Sequence, residues 1–304
     1  MSFEVTILGN SSASPTLNRH PSGQYLNICD HHILIDCGEG TQMQLQRFKI
    51  KRSKLSHIFI SHVHGDHILG LPGLLLSMNL MKHLQPVHVY GPAELFEILD
   101  VFFKYSETTF SFPLIYHRLD PNKEGIIYEN LYFNVKAFPL FHRVPTIGYL
   151  FAERSILKKL NVDACQRNKI PFTHYNDLKM GKDYLSPDGL RIKNELLTLA
   201  SSRPISYAYC SDTIFDERVI KSIEDADYLY HEATFMHDKL DRAIVTMHTT
   251  AKQAGIVAKQ ANVNQLIIGH FSSRYEDLSP LLNEAKEEFA NTRIAQEGAT
   301  FVLE

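Results

Sequence analysis

The chain has 304 residues, a formal net charge of −3 and four cysteines. This length allows one large domain or two ordinary ones with a buried core, and the net charge excludes the broadly basic surface of a general nucleic-acid-binding protein. No apolar stretch reaches the roughly 20 residues that a membrane-spanning helix needs, and the cysteines lack the paired spacing of a thiolate metal site or a disulfide framework. We therefore expect a soluble, cytoplasmic protein whose nucleic-acid contacts, if it makes any, are local.

The first half of the chain alternates predicted strands and helices. FEVTILG, YLNICD and HHILIDCG are apolar runs broken by turn residues, and they predict three strands joined by hairpins. Residues 41–50 have apolar positions at helical spacing, and residues 55–61 predict a short buried strand. GLPGLLLSMNLMKH and PAELFEILDVFFKYS then predict helices on either side of the strand VHVYG, and LYFNVKAFPLFH predicts strands. This order indicates an α/β fold.

The pattern changes at about residue 153. Residues 153–197 are polar and rich in turn formers, which is typical of an arm inserted into a main domain. After them, PISYAYCS, DYLYHEATF and QLIIGH predict strands, TAKQAGIVAKQA predicts a helix, and a further helix ends the chain. We expect a single domain, residues 1–304, that carries this arm.

The strongest chemical signal is ISHVHGDHILG, directly after the predicted buried strand. It places His62, His64, Asp66 and His67 within six residues. Side chains two apart in an extended chain share a face, so the first two can bind one ion while the other two face a second. Imidazole nitrogen and carboxylate oxygen are ligands that zinc favours, and manganese or iron also accept them. A solvated polar loop is the alternative, but so dense a cluster favours a metal site.

Two metal ions need more ligands than this cluster supplies. His142, Asp212 and His270 each follow an apolar run. An aspartate can bridge two cations through its two oxygens, which makes Asp212 the natural shared ligand. Taken singly, His142 or His270 could equally be a strand-end histidine that caps a loop, but the first cluster shifts the interpretation toward ligation.

The ordered series of HxHxDH, a later His, an Asp and a final His resembles the metallo-β-lactamase superfamily. Several stretches are similar to the ribonuclease Z family in particular: LGNSSASPT, IDCGEGTQ, SHVHGDHILGLPGLL, HEATF, HTTA and GHFSSRY. The resemblance covers nearly the whole chain, and the last three motifs are more selective than HxHxDH. It implies an α/β fold, the metallo-β-lactamase αββα four-layer sandwich, with an inserted arm.

The resemblance also implies two Zn²⁺ per subunit. One would be held by His62, His64, His142 and Asp212, and the other by Asp66, His67, Asp212 and His270. Asp36 would support the ligating histidines from behind, although its place in DCGEG leaves an ordinary turn role open.

The activity implied by the resemblance is that of an endoribonuclease that removes 3′ trailers from tRNA precursors and leaves a 3′-hydroxyl. A hydroxide bridging the metals would attack the phosphodiester, Asp66 would orient it, and His248, paired with Glu232, would protonate the leaving oxygen. Without the resemblance, Glu232 would be an ordinary strand-end carboxylate and His248 a residue at a helix N-terminus. A phosphodiesterase acting on small or cyclic phosphodiesters is the alternative activity.

The implied partners are precursor tRNA and a second copy of the chain in a homodimer. Substrate phosphate would be bound by Arg274, Ser272 and Ser273, although Arg274 could instead form a loop salt bridge. The basic run RFKIKRSK, residues 47–54, could follow RNA backbone or be a solvated face.

The sequence departs from the family in the arm. Family members often carry there a Gly-Pro element that grips the tRNA elbow, whereas this chain has IPFTHY. The arm still has basic residues that could hold RNA electrostatically, namely Lys158, Lys159, Arg167, Lys169, Lys179 and Lys182.

Overall fold

Residues 3–154, 158–199 and 203–304 are described in a computed structural model of the chain, so residues 155–157 of the predicted arm lie outside the described ranges. In chain order the strands are β1 (Phe3–Gly9), β2 (Gly23–Ile28), β3 (His31–Cys37), β4 (Leu55–Phe59), β5 (Val87–Pro92), β6 (Leu114–Leu119), β7 (Gly125–Glu129), β8 (Phe133–Leu140), β9 (Thr146–Glu153), β10 (Lys159–Leu160), β11 (Tyr184–Leu185), β12 (Arg191–Ile192), β13 (Thr198–Leu199), β14 (Ser206–Cys210), β15 (Tyr228–Glu232), β16 (Gln265–Gly269), β17 (Thr292–Ile294) and β18 (Thr300–Val302). The α-helices are α1 (Thr41–Arg47), α2 (Gly65–Ile68), α3 (Leu71–Leu80), α4 (Ala93–Tyr105), α5 (Val162–Arg167), α6 (Tyr175–Lys179), α7 (Asn194–Leu197), α8 (Glu217–Ser222), α9 (Leu240–Thr246), α10 (Ala251–Gln260) and α11 (Ser279–Glu288). None of these helices is long and apolar enough to cross a bilayer.

Two seven-stranded sheets form the body of the fold. The first has the order β18-β1-β2-β3-β4-β5-β6 and the second the order β17-β16-β15-β14-β9-β8-β7. β3 to β6 run parallel to one another, and so do β14 to β17. The hairpins β1-β2-β3 and β7-β8-β9 supply the antiparallel part of each sheet.

The apolar core is divided into layers. Phe59, Tyr90, Tyr149 and Tyr207 are buried between the two sheets. A second cluster packs the first sheet against α3 and α4, and a third packs the other sheet against α8, α10 and α11. Helices therefore cover the outer face of each sheet, and the predicted αββα four-layer sandwich is confirmed.

The strands at the four sheet edges, β6, β7, β17 and β18, are absent from the sequence-based prediction. β6 and β7 are mostly exposed or half-buried, and β17 and β18 have only three residues each. Such strands lack a marked apolar alternation because only part of their surface is covered. β9, an interior strand, is also missing from the prediction.

The inserted segment has a small core of its own. We call residues 158–199 the arm; they lie between β9 and β14, which are antiparallel neighbours in the second sheet. The arm contains α5 to α7 and two two-stranded sheets, β10-β13 and β11-β12. Its buried side chains are Ala164, Cys165, Ile170, Leu178, Tyr184 and Leu197. The polar composition predicts a turn-rich insertion, but the segment folds around these buried side chains.

Candidate active site

The seven residues predicted as metal ligands come together at one edge of the sandwich. They follow the carboxyl ends of strands in both sheets: His62, His64, Asp66 and His67 after β4, and His142, Asp212 and His270 after β8, β14 and β16. Neighbouring strands that run in one direction bring their carboxyl ends to the same edge. Residues far apart in the sequence therefore meet here.

The first group consists of His62, His64, His142 and Asp212, whose ligand atoms all lie within 4.8 Å of one another. Nε2 of His62 is 3.1 Å from Nδ1 of His64 and 3.6 Å from Oδ2 of Asp212. Nε2 of His142 is 3.3 Å from the same His64 nitrogen and 3.7 Å from Oδ2 of Asp212. Ligands at about 2.1 Å from a tetrahedral zinc ion lie roughly 3.4 Å apart, so these separations fit a four-coordinate ion.

The second group consists of Asp66, His67 and His270. Oδ2 of Asp66 lies 3.5 Å from Nε2 of His67 and 3.3 Å from Nε2 of His270. The other oxygen of Asp212, Oδ1, lies 3.5 Å from the His67 nitrogen and 3.1 Å from the His270 nitrogen. Asp212 therefore turns one carboxylate oxygen toward each group, as a bridging ligand must.

The donor set fits divalent cations. Nε2 of His67 is buried and has no hydrogen-bond partner in the described part of the chain, while Nδ1 of the same ring is 2.8 Å from a carboxylate oxygen of Asp36. Burial opposes a positive charge on His67, yet Asp66, Asp36 and Asp212 together raise its pKa well above the ordinary value. Positive charge is favoured at this position, and a metal ion bound at Nε2 would supply it.

Asp36 supports the second group from a fully buried position. It accepts hydrogen bonds from the backbone N–H of Ser61 (2.7 Å) and from the hydroxyls of Ser61 (2.9 Å) and Tyr209 (2.7 Å), in addition to its contact with His67. Its φ of 54° is in the left-handed region, at the register shift where β2 pairs with β3. This bulge turns the Asp36 carboxylate toward the ligand group.

Four further groups hold ligands in place, and the sequence analysis did not identify them. The His142 ring donates through Nδ1 to the carbonyl of Met247 at 2.8 Å. The Ser61 hydroxyl is 3.0 Å from Nδ1 of His62, and the Thr234 hydroxyl is 3.0 Å from Nδ1 of His270. The backbone N–H of Ala13 donates to Asp66 at 2.7 Å. Ser61 directly precedes HVHGDH and Thr234 lies within HEATF, so a polar residue in or next to a site motif is a usable signal. Nothing local marks Met247 or Ala13, because each acts through its backbone.

Glu232 and His248 form a pair next to the ligand groups. Nδ1 of His248 lies 2.9 Å from Oε1 of Glu232 and 4.0 Å from Oδ2 of Asp212. Burial alone would lower the pKa of His248, but the Glu232 carboxylate outweighs it and raises the pKa to about 9. The Glu232 carboxylate therefore favours the protonated form of the ring, which is the form that a proton donor at neutral pH requires.

The predicted phosphate-binding residues lie at the rim of the site. Ser273 and Arg274 are exposed and Ser272 is half-buried. Nε of Arg274 donates to the Ser272 hydroxyl at 3.0 Å, and the guanidinium lies 5.0 Å from the centre of the Phe235 ring. Among the described residues Arg274 forms no ion pair, so its charge faces solvent close to His270, a predicted ligand.

Comparisons with known proteins agree with the fold and with the family resemblance of the sequence. Residues 3–105 match the family model described as Anti-Pycsar protein Apyc1. The chain is 44% identical over 301 residues to "Ribonuclease Z" of Bacteroides fragilis, with 99% of each chain covered. Among solved structures, it is similar to human tRNase Z, short form, with a TM-score of 0.71, 25% identity and 98% of each chain covered. The metallo-β-lactamase-fold protein YhfI from Bacillus subtilis gives a TM-score of 0.71 at 19% identity, covering 99% of this chain and 100% of the other, and shows the fold alone.

Proposed function

The chain belongs to the ribonuclease Z family, and on this premise we propose that it removes 3′ trailers from tRNA precursors and leaves a 3′-hydroxyl on the tRNA. It is a phosphodiester-hydrolysing endoribonuclease with the metallo-β-lactamase fold. The observation that carries the proposal is the buried Glu232–His248 pair beside the ligand residues, because a poor ribose leaving group needs both a proton and neutralisation of phosphate charge.

We propose two Zn²⁺ ions as the cofactor, with Mn²⁺ or Fe²⁺ as substitutes. One would be held by His62, His64, His142 and Asp212, and the other by Asp66, His67, Asp212 and His270. When bound, the two cations acidify a water molecule and neutralise charge on the phosphoryl oxygens. Asp36, through its hydrogen bond to Nδ1 of His67, keeps Nε2 of that ring free to bind metal.

The protein side chains would move and hold the protons. Asp66, whose Oδ2 also accepts the Ala13 N–H at 2.7 Å, would orient the attacking water and accept its proton. His248 would give a proton to the departing 3′ oxygen, and the Glu232 carboxylate would hold the imidazolium in place. Arg274, with Ser272 and Ser273, would bind phosphate oxygens at the rim.

The arm is the proposed tRNA-binding element. Lys159, Arg167, Lys169 and Lys182 are exposed on it, and the Phe172 side chain of IPFTHY is 81% exposed. Cations can follow the RNA backbone, and an exposed aromatic ring can stack on a base. These features support RNA binding by the arm without a Gly-Pro element.

We also propose a homodimer and a cytoplasmic location. Large apolar side chains are exposed on and beside α1 to α3, a surface that a second copy would cover, namely Met43, Leu69, Leu80, Met81 and Leu84. All four cysteines are free thiols, as is usual in a reducing compartment. Analytical ultracentrifugation of the wild type and of Leu80→Glu measures the dimer; a monomeric wild type contradicts it.

In the first experiment, protein of measured metal content is incubated with a 3′-extended precursor tRNA. The position of the cut and the end groups of both products are then determined. We expect cleavage directly after the discriminator nucleotide, a 3′-hydroxyl and two metal ions per chain. A protein that binds two metals but hydrolyses only a small chromogenic diester would contradict the tRNA assignment and favour a phosphodiesterase for small or cyclic substrates.

Two histidine variants separate metal binding from proton transfer. His64→Ala is expected to lose metal and activity together. His248→Ala should retain two metals while kcat for precursor tRNA falls by about 10²- to 10⁴-fold. His237→Ala is the matched control, because this half-buried histidine belongs to none of the ligand groups. Normal turnover by His248→Ala would remove its role as the acid.

A further inference from the structure

A cavity of about 440 Å³ lies beside the loop of residues 10–20. Its walls include Asn10, Arg19, Arg47 and Phe48. None of the proposed metal ligands lines it, so it is separate from the site described above. Its volume is within the range of roughly 300–1,000 Å³ that small-molecule sites occupy.

Two of the lining residues carry buried polar atoms that lack a hydrogen-bond partner within the described ranges. These atoms are Oδ1 of Asn10 and Nη1 of Arg19. Asn10 is only 3% exposed, and its amide nitrogen already donates to the carbonyl of Ala295 at 2.6 Å. Buried polar atoms in native proteins are almost always paired with protein, water or ligand. Both residues line the cavity, so an acceptor and a donor without partners lie in its wall, where a small side-chain movement would bring them to a ligand with a polar edge.

The cavity also carries positive charge. Nη2 of Arg19 donates to the carbonyls of Ser272 (3.2 Å) and Tyr275 (2.8 Å), which fix the guanidinium but do not neutralise it. Glu297 lines the cavity as well, and its carboxylate accepts hydrogen bonds from His20 and Gln44, so the wall carries two arginines and one carboxylate. Among the described residues neither Arg19 nor Arg47 is in a salt bridge.

The Phe48 ring gives the cavity a flat apolar wall. This ring packs directly on Gly298, where a Cβ atom would come within 2.6 Å of a ring carbon. A larger residue at position 298 would push the ring away, and φ of +81° there also favours glycine. The wall is therefore held next to Arg47, the exposed cation that precedes Phe48 in the chain.

A nucleotide has the chemistry that these walls recognise. Its base has a flat face for Phe48 and an edge with both donors and acceptors for Asn10 and Arg19, and its phosphate suits an arginine. We propose that this cavity is a nucleotide-binding subsite that holds one nucleotide of the precursor RNA, away from the scissile phosphodiester. This inference rests on the proposed function.

The loop that lines the cavity also reaches the metal ligands. Its residue Ala13 donates to Asp66, and its residue Arg19 holds the 272–275 segment that follows His270. A nucleotide in the cavity would therefore stabilise the loop that makes both contacts. Occupation of the subsite should favour correct placement of the RNA at the active site, so loss of the subsite should mainly raise KM.

Abasic scanning of a precursor tRNA tests the proposal. Single abasic substitutions are placed on both sides of the cut, and KM is measured for the wild type, Arg47→Ala and Arg47→Lys. At one position the abasic substitution should raise the KM of the wild type about 5- to 50-fold. Arg47→Ala should already have a raised KM for the intact precursor, and the abasic substitution at that position should raise it little further. Arg47→Lys, which keeps the charge, should fall between them. Lys286→Ala, which removes an exposed cation outside the cavity, is the control and should match the wild type.

If each abasic substitution raises KM by the same factor in the wild type and in Arg47→Ala, the subsite proposal is overturned. If the wild type does not cleave precursor tRNA at all, the proposed function fails, and binding of free nucleoside 5′-monophosphates to the metal-loaded protein then decides the question. Calorimetric binding that Arg47→Ala weakens would support a nucleotide subsite for free nucleotides. Binding that is absent, or unaffected by Arg47→Ala, would overturn it.

Discussion

Replacing Asp36 by asparagine tests the ligand geometry because the two side chains have the same shape. Oδ2 of Asp36 accepts from His67, Tyr209 and the Ser61 hydroxyl, and Oδ1 accepts from the Ser61 N–H. Asparagine keeps one acceptor oxygen, so the orientation that preserves the His67 bond sets its NH₂ group against the Ser61 N–H. The negative charge behind His67 is lost in either orientation. We expect zinc affinity to fall about 10- to 100-fold, which is about 1.4 to 2.7 kcal/mol.

The assay is zinc competition with a chelator of known affinity, combined with precursor cleavage at limiting and at excess zinc. Activity of Asp36→Asn should be low at limiting zinc and should recover when zinc is added. Asp30→Asn is the control, because the Asp30 side chain is 79% exposed in the β2-β3 hairpin and, among the described residues, forms its ion pairs with His32 and Lys54. Unchanged zinc affinity in Asp36→Asn, or a loss of activity that excess zinc does not restore, would refute the reasoning.

Three further predictions concern protons and the arm. Glu232→Gln removes the charge that raises the pKa of His248 to about 9 against the effect of burial, so the alkaline limb of the kcat–pH profile should move to lower pH; an unmoved limb would argue against His248 as the acid. Replacing the arm, residues 158–199, by a Gly-Ser linker should raise KM for precursor tRNA about 10-fold or more and spare a small diester; equal loss of both would contradict a substrate-binding arm. Burial, and to a smaller extent His88, lower the pKa of His57 to about 3, whereas its unfolded value is about 6.5. His57 therefore stays neutral in the folded protein while it gains a proton in the unfolded chain. The free energy of unfolding should fall as pH drops below about 6.5, by about 2 kcal/mol at pH 5. Urea unfolding at pH 5 and 7.5 should show a smaller acid loss in His57→Phe, and an identical loss would exclude His57 as its source.

The residues of the proposed metal centre could be singled out from the sequence because they stand where the sequence pattern changes. His62 follows an apolar strand that the surrounding turn signals delimit, and Asp212 and His270 follow two more such strands. Strand direction then brings these positions to one edge without any knowledge of side-chain packing. The fold class follows from the same alternation of buried strands and amphipathic helices.

The supporting contacts could not be predicted because they depend on tertiary structure. Tyr209 lies in β14 and meets Asp36 of β3 only when the two sheets pack face to face. The Met247 carbonyl reaches His142 because Met247, the residue after α9, is in the left-handed region with φ of 56°. In the arm, the buried residues Cys165, Leu178 and Leu197 are too widely spaced for a periodic pattern, so composition alone suggests a loop.

The proposed metal centre joins the two halves of the sandwich. The first sheet and α2 contribute His62, His64, Asp66 and His67, whereas the second sheet contributes His142, Asp212 and His270. Asp212 is 98% buried and lies within 4 Å of nitrogens from both sheets. A buried carboxylate is costly unless positive charge surrounds it. Each Asp212 oxygen lies near one histidine from each sheet, Oδ2 near His62 and His142 and Oδ1 near His67 and His270. Two cations between the sheets would neutralise both oxygens. The ions that support substrate cleavage would therefore also stabilise the packing of the two sheets that form the site.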